Sequence, residues 1–306
     1  MDKRNAALTR AKRAKNDEFY TQKKDIESEL VHYHKHLKDK IVYCNCDDYR
    51  KSKFVEYFME NFDNIGLKKL ISTGFSKDGQ GTYSEYDGTV FKTGFLKGNG
   101  DALGEECTEI LKQADVVVTN CPFSLFRKYV SHLMKYGKKF LIIGNKNAIT
   151  YKEIFPYIKD NELWLGITNP DEYRLPNGEI TQSVKGLCRW FTNIPHNRRN
   201  TPLDLYKKYS ADKYPKYDNY DAIEVSKVSE IPMDYNGVMG VPITFLDKYC
   251  PTQFEIVDAR EVALNDKQKN KSTYLIKDAD GAINGKPTYA RICIRRKKAE
   301  PIVEVK

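Results

Sequence analysis

The chain of 306 residues is 40% hydrophobic and 30% charged, which excludes a disordered tract or a membrane protein and leaves room for one large domain or two. Lys and Arg number 51 against 42 for Asp and Glu, a net charge of +9 that favours a polyanionic partner, nucleic acid first. The seven cysteines are scattered, as suits reduced thiols, and no apolar run approaches the roughly 18 residues of a membrane span. No signal peptide opens the chain, so a cytoplasmic location is expected.

Arg4, Arg10, Lys12, Arg13 and Lys15 stand among alanines with no apolar face. They read either as a basic arm that tracks phosphates or as a solvated terminus. An abrupt aromatic pair follows in Asn16-Asp17-Glu18-Phe19-Tyr20-Thr21. Asp25 then opens a helix with Ile26, Leu30, Tyr33 and Leu37 on one side. His32, His34, His36, Cys44 and Cys46 raise the question of a metal, but their spacing matches no zinc pattern, and no metal is expected.

Ile41 to Cys46 reads as the first strand, ending in Asp47-Asp48. Ser52 is positioned to cap a helix whose apolar face is Phe54, Val55, Phe58, Met59 and Phe62. Leu67 to Ser72 is a second strand. A glycine-rich stretch from Gly74 to Gly100, with weak strand signals near Val90 to Phe95, looks like a hairpin or a long loop inserted in the sheet, ended by Asp101. Glu105 to Ala114 is a short helix leading into the β-branched run Asp115-Val116-Val117-Val118-Thr119. That run stops at the polar corner Asn120-Cys121-Pro122-Phe123-Ser124. A helix follows, with Ser124 as its expected cap and Gly137 as its stop, and then a strand over Phe140 to Ile143.

This alternation predicts an α/β fold with a doubly wound, mostly parallel, Rossmann-like sheet. Beyond about residue 170 helical periodicity fades, and short alternating runs at Ile223–Val228, Phe254–Val257, Thr273–Ile276 and Tyr289–Ile294 suggest a β-rich region. Arg295, Arg296, Lys297 and Lys298 follow the last of them. The expected division is a basic arm over 1–15, a catalytic domain over 16–180 and a β-rich target-recognition region over 181–306.

In an open α/β sheet, ligands bind at the carboxyl ends of the strands. At Asn120-Cys121-Pro122-Phe123 the Asn side-chain oxygen and the Cys121 carbonyl can converge as two acceptors. An exocyclic amino group offers two donors, and holding both draws its nitrogen towards tetrahedral geometry and raises its nucleophilicity. Phe123 offers a stacking face, and Pro122 fixes the turn. A base inside a duplex reaches such a corner only when flipped out, at a cost of a few kcal/mol.

The corner resembles the (Asn/Asp/Ser)-Pro-Pro-(Tyr/Phe) signature of amino-group methyltransferases, and Phe19-Tyr20-Thr21 resembles their N-terminal Phe-Tyr-Thr motif. Cys44-Asn45-Cys46-Asp47-Asp48, Gly144-Asn145-Lys146-Asn147-Ala148 and Gly237-Val238-Met239-Gly240-Val241-Pro242 extend the likeness. Together they resemble the EcoRI-type adenine-specific DNA methyltransferases. The resemblance implies N6-methylation of a flipped adenine in double-stranded DNA, with S-adenosylmethionine as donor. It implies catalytic roles for Asn120, Cys121, Pro122 and Phe123, and cofactor contacts from Phe19, Tyr20, Thr21, Asn45, Asp47, Asp48 and Asp101. Lys12, Arg13, Arg295 and Arg296 are the candidate nucleic-acid contacts.

Two departures stand out. Cys121 replaces the first proline of the signature, and the usual glycine-rich turn after the first strand is missing. No clear acidic ribose ligand follows the second strand; Asp78 comes late. The alternatives are an RNA-base or protein-glutamine methyltransferase with the same chemistry, or a sequence-specific DNA-binding protein that no longer catalyses.

Overall fold

The computed structural model describes residues 20–171, 173–174, 180–181, 186–271 and 274–297. Lys12, Arg13, Phe19 and Lys298 lie outside them. Two compact units emerge, one taking residues up to 148 together with 163–196, the other 149–162 and the residues from 197 onward.

The first unit is mixed α/β around an eight-stranded sheet. Its strands are β1 (Ile41–Asn45), β2 (Lys69–Gly74), β3 (Thr82–Tyr86), β4 (Phe91–Phe95), β5 (Val116–Thr119), β6 (Lys139–Asn145), β7 (Trp164–Leu165) and β8 (Cys188–Thr192). They lie in the order β4-β3-β2-β1-β5-β6-β8-β7. The pairings among β2, β1, β5 and β6 are parallel. Those of β3 with β2 and β4, and of β8 with β6 and β7, are antiparallel. The mostly parallel sheet expected from sequence is therefore a mixed one. One reason is local: the four residues between Tyr86 and Phe91 cannot make a crossover, so β3 and β4 must form a hairpin. Asp87 Oδ1 closes it by accepting from the amides of Thr89 at 3.0 Å and Val90 at 2.8 Å.

Helix α1 (Lys23–Leu30) precedes the first strand; parallel strands need crossover helices, and the sequence supplies them as α2 (Lys53–Glu60), α3 (Glu105–Gln113) and α4 (Phe126–Lys135). The continuous β-branched runs become the buried centre: Val117, Val118, Leu141, Ile142 and Ile143 are fully covered. Ser52 caps α2 as expected, its Oγ accepting from the amides of Phe54 and Val55 at 3.1 and 3.3 Å. Gly137 ends α4 in the left-handed region at φ +61°. Its amide donates to Met134 and that of Lys138 to Leu133, the paired closure that favours glycine there. The start of α4 differs from expectation. Leu125, not Ser124, sits at the cap, because the Leu125 amide donates to the Pro122 carbonyl and holds a turn ahead of the helix. The helix predicted from Asp25 to Leu37 breaks after Leu30 and resumes only over His34–Leu37.

Glu29 of α1 is fully buried, and its carboxylate gathers the chain after β7. It accepts from the amides of Ile167 and Thr168 at 2.8 and 2.6 Å, from the Thr168 hydroxyl at 2.7 Å and from Tyr33 Oη at 2.7 Å. Four donors on one carboxylate satisfy it without a counter-ion. Glu29→Gln keeps the shape but turns one acceptor into a donor facing other donors. The expected cost is about 2 kcal/mol, read as a loss in urea-denaturation stability.

In the second unit the regular β-structure includes a four-stranded sheet of β9 (Ile223–Glu224), β10 (Met239–Pro242), β11 (Phe254–Val257) and β12 (Arg291–Arg296), ordered β9-β10-β12-β11. The run expected over Ile223–Val228 is strand only at its start. Of Thr273–Ile276, Ile276 makes a single bridge to Arg291, and Thr273 lies outside the described residues. Gly237 to Pro242, one of the sequence motifs, leads into and forms β10. Gly240 lies under the Tyr217 ring, where a Cβ would come within 2.7 Å of the Tyr217 oxygen. Tyr217 and Arg291 both donate to the buried Glu224.

Candidate active site

The carboxyl ends of β1, β2 and β5 meet around a cavity of about 310 Å³, within the size range of small-molecule sites. Thr21, Cys46, Asp47, Asp48, Asp101 and all four residues of Asn120-Cys121-Pro122-Phe123 line it. Five separated stretches of sequence thus converge on one opening.

Each stretch arrives by a local device. After β1 the backbone turns through Cys46, which adopts φ +76°. This is the left-handed conformation that glycine takes at less cost, so a cysteine performs the turn for which the sequence has no glycine. The close approach that glycines allow is supplied from β2 instead. A Cβ on Gly74 would lie 2.8 Å from the Asp48 Cα, so only glycine lets these two strand ends touch.

Asp47 is the hub of the site. Its amide donates to the Thr73 carbonyl at 2.7 Å, and its two carboxylate oxygens accept from Ser52 Oγ and Thr119 Oγ1, both at 2.6 Å. One residue, through its amide and its carboxylate, therefore joins the ends of β1, β2 and β5 to the cap of α2. Burial pushes the Asp47 carboxyl up to about 7, against the two hydroxyl bonds that favour its charged form. Asp48 behaves oppositely. Burial pulls it up, but the Arg50 guanidinium, with Nε at 2.9 Å and Nη2 at 2.7 Å, outweighs that and leaves it below the ordinary carboxylate value.

Asn45 is fully buried. It donates from Nδ2 to the Ala102 carbonyl at 3.3 Å and accepts from Thr73 Oγ1 at 3.1 Å, so its side chain braces the wall. It is not among the lining residues. Asp101 is exposed at the mouth. Its Oδ1 accepts from the Leu103 amide at 3.0 Å and its carbonyl from Gly104 at 2.9 Å, which turns the chain into α3. Asp101 is thus both a turn residue and a lining residue. Asp78 is exposed and does not line the cavity.

At the corner, Cys121 is 1% exposed, while Phe123 is half-buried and rests on the main hydrophobic core. Asn120 Nδ2 donates to Thr21 Oγ1 at 3.2 Å. The N-terminal motif therefore touches the corner directly through Thr21. Tyr20 is described by its backbone, which pairs with Arg174. Beside the corner, Asn145 ends β6, and its Oδ1 accepts from the Asn147 amide at 2.8 Å.

Several contributors escaped the sequence reading: Thr119, Thr73, Lys51, Phe54 and Phe75. Phe75, 56% exposed directly after β2, stands where an acidic ligand was sought. A large exposed aromatic at a strand end was the available signal for it. The hydroxyls of Thr73 and Thr119 left none, since threonine is ordinary in a strand. Among the nucleic-acid candidates, Arg295 lies in β12 and pairs with Glu255 at 3.0 Å, and Arg296 ends the same strand. Among the described residues no group of three or more His, Cys, Asp or Glu could hold a metal, and no helix is long and apolar enough to cross a membrane.

Comparison with known proteins bears on what this corner does. Residues 7–95 and 85–297 match the family described as adenine-specific methyltransferase EcoRI. The chain belongs to that family. Type II methyltransferase M.EcoRI of Escherichia coli is 45% identical over 332 residues, covering 97% of this chain and 98% of that protein. M.MgeORF184P of Mycoplasma genitalium and M.MpnI of Mycoplasma pneumoniae, also type II methyltransferases, are 40% and 39% identical over 314 residues. Each alignment covers 95% of this chain and at least 98% of the relative. No solved structure matches. The resemblance drawn from the separated motifs is borne out: this is an EcoRI-family enzyme, a site-specific DNA adenine methyltransferase.

Proposed function

We propose that the cavity holds S-adenosylmethionine and that Asn120 to Phe123 receive an adenine flipped from duplex DNA and present its N6 amino group for methylation. The observation that carries this reading is the convergence of the corner, Thr21 and the strand-end aspartates on a single opening. The lining suits the cofactor. Asp48 and Asp101 offer carboxylates to hydroxyl and amino groups, and the exposed ring of Phe75 offers an apolar face to a purine. Asp47 and Asn45 hold the strand ends that carry these groups. When bound, S-adenosylmethionine supplies a methyl group activated on a sulfonium.

The remaining work falls to the chain. The Asn120 side-chain oxygen and the Cys121 carbonyl accept the two amino hydrogens and draw the nitrogen lone pair out of conjugation with the ring. Acceptors fixed before the reaction stabilise the positive charge that grows on the nitrogen, at no reorganisation cost in the transition state. Only a backbone carbonyl is required of position 121, so cysteine serves, and its covered thiol is no nucleophile. The methyltransferase fold is Rossmann-like in its parallel centre β2-β1-β5-β6, with target recognition assigned to residues 181–306 and phosphate contacts to Lys12, Arg13, Arg295 and Arg296. A cytoplasmic enzyme acting on double-stranded DNA is the corresponding setting.

Incubation with tritiated S-adenosylmethionine and duplex DNA tests the reading, with RNA and glutamine peptides as competing acceptors. Label in N6-methyladenine of duplex DNA is expected; label confined to RNA or peptide rejects it. Phe123→Ala should lower kcat/KM for DNA by roughly 10- to 100-fold through lost base stacking, while Phe123→Tyr stays near the native value.

A further inference from the structure

A side-chain amide can present either its oxygen or its nitrogen to a ligand, because rotation of its terminal torsion by half a turn exchanges the two at nearly unchanged shape. For Asn120 the choice decides the chemistry. The oxygen facing an adenine amino group makes a bond, whereas the NH2 facing it sets donor against donor. Nothing in Asn120 itself selects the productive face.

Thr21 is 3% exposed and lines the same cavity. Its Oγ1 accepts from Asn120 Nδ2 at 3.2 Å. An amide whose nitrogen is engaged on one side turns its oxygen to the other. Thr21 is in turn constrained: its β-branched side chain restricts χ1, and its backbone is paired with Tyr173 in a short three-stranded sheet. That sheet follows the loop that Glu29 grips through the amides of Ile167 and Thr168.

We propose that Thr21 is a positioning residue for methyl transfer, its hydroxyl fixing the Asn120 amide with the oxygen towards the target amino group. The inference rests on the reading of Asn120 as an acceptor for that group. It assigns Thr21 a role in the chemical step apart from any contact with the cofactor. A hydroxyl is required because it can accept; an isosteric methyl cannot.

The test compares Thr21→Val, which keeps the volume and deletes the acceptor, with Thr21→Ser, which keeps the acceptor and deletes the methyl. With saturating cofactor and duplex DNA, Thr21→Val should lower kcat roughly 30-fold, a partial loss of one preorganised contact. Its dissociation constant for S-adenosylmethionine, from calorimetry, should stay within about threefold of native, and Thr21→Ser should restore kcat to within about threefold. Thr21→Ala replaces the valine variant if that does not fold. Equal kcat in the valine and serine variants overturns the proposal, and so does a loss confined to cofactor affinity. Asn120→Ala separates the two levels of argument. If it retains N6-methylation, the reading of the corner is wrong. If it is inactive while Thr21→Val is fully active, only the role of Thr21 falls.

Discussion

Replacing Asn120 by alanine should lower kcat for N6-methylation about a thousandfold, the scale of losing a preorganised group aimed at developing charge. Affinity for S-adenosylmethionine should change by less than about threefold. In the proposed reading the corner separates the two functions: Asn120 would contact the target, whereas the aspartates at the end of β1 and before α3 line the rest of the cavity. The loss should therefore appear in kcat and kcat/KM together, because the interaction belongs to the transition state. Single-turnover methylation with preformed complex is the measurement. A variant that turns over normally, or that fails only through cofactor binding, would remove Asn120 from the catalytic step.

The second large effect concerns Asp47. Its carboxyl rises from an ordinary 3.8 to about 7 on burial. In the unfolded chain it ionises near its ordinary value, so between these limits the native state binds more protons than the unfolded one. Stability from this group is thus fully present below about pH 4 and declines as pH rises through about 7. A shift of that size corresponds to about 4 kcal/mol. Asp47→Asn removes the titration while an amide can still bond Ser52 Oγ and Thr119 Oγ1, accepting from one and donating to the other. Relative to native, the variant should gain stability as pH rises from 5 to 8. At pH 8 it should be more stable by a few kcal/mol, less about 1 kcal/mol for each hydroxyl bond that is weakened. Urea denaturation of both proteins across that range reads the difference directly; parallel stability curves would show that Asp47 does not titrate there.

These two residues illustrate how far the sequence could be read. Asn120-Cys121-Pro122-Phe123 was legible because a β-branched run ending at a proline-fixed polar corner has few bland explanations, and because its acceptors are adjacent in the chain. Asp47 was legible as a strand-end aspartate but not as a hub, since Ser52, Thr73 and Thr119 reach it from three other elements. Hydroxyls carry no periodicity that marks a partner. The mixed character of the sheet was likewise hidden. Alternation of strand and helix reports the parallel centre, but β8 joins β6 antiparallel from more than forty residues away.

What the sequence determined alone is therefore local. It specified the buried runs of β1, β5 and β6, the Ser52 cap, the Gly137 stop, an insertion after Gly74 and the residue types of the polar corner. Each depends on contacts within a few residues, where propensity and hydrogen bonding are decided by neighbours in the chain. Only the tertiary structure decided that Cys46 makes the turn without glycine while Gly74 supplies the close approach, that Asn45 braces rather than lines the cavity, and that Thr21 bonds the amide of Asn120. Those facts depend on which strand ends lie side by side. Strand order is set by burying the whole sheet, not by any one stretch of residues.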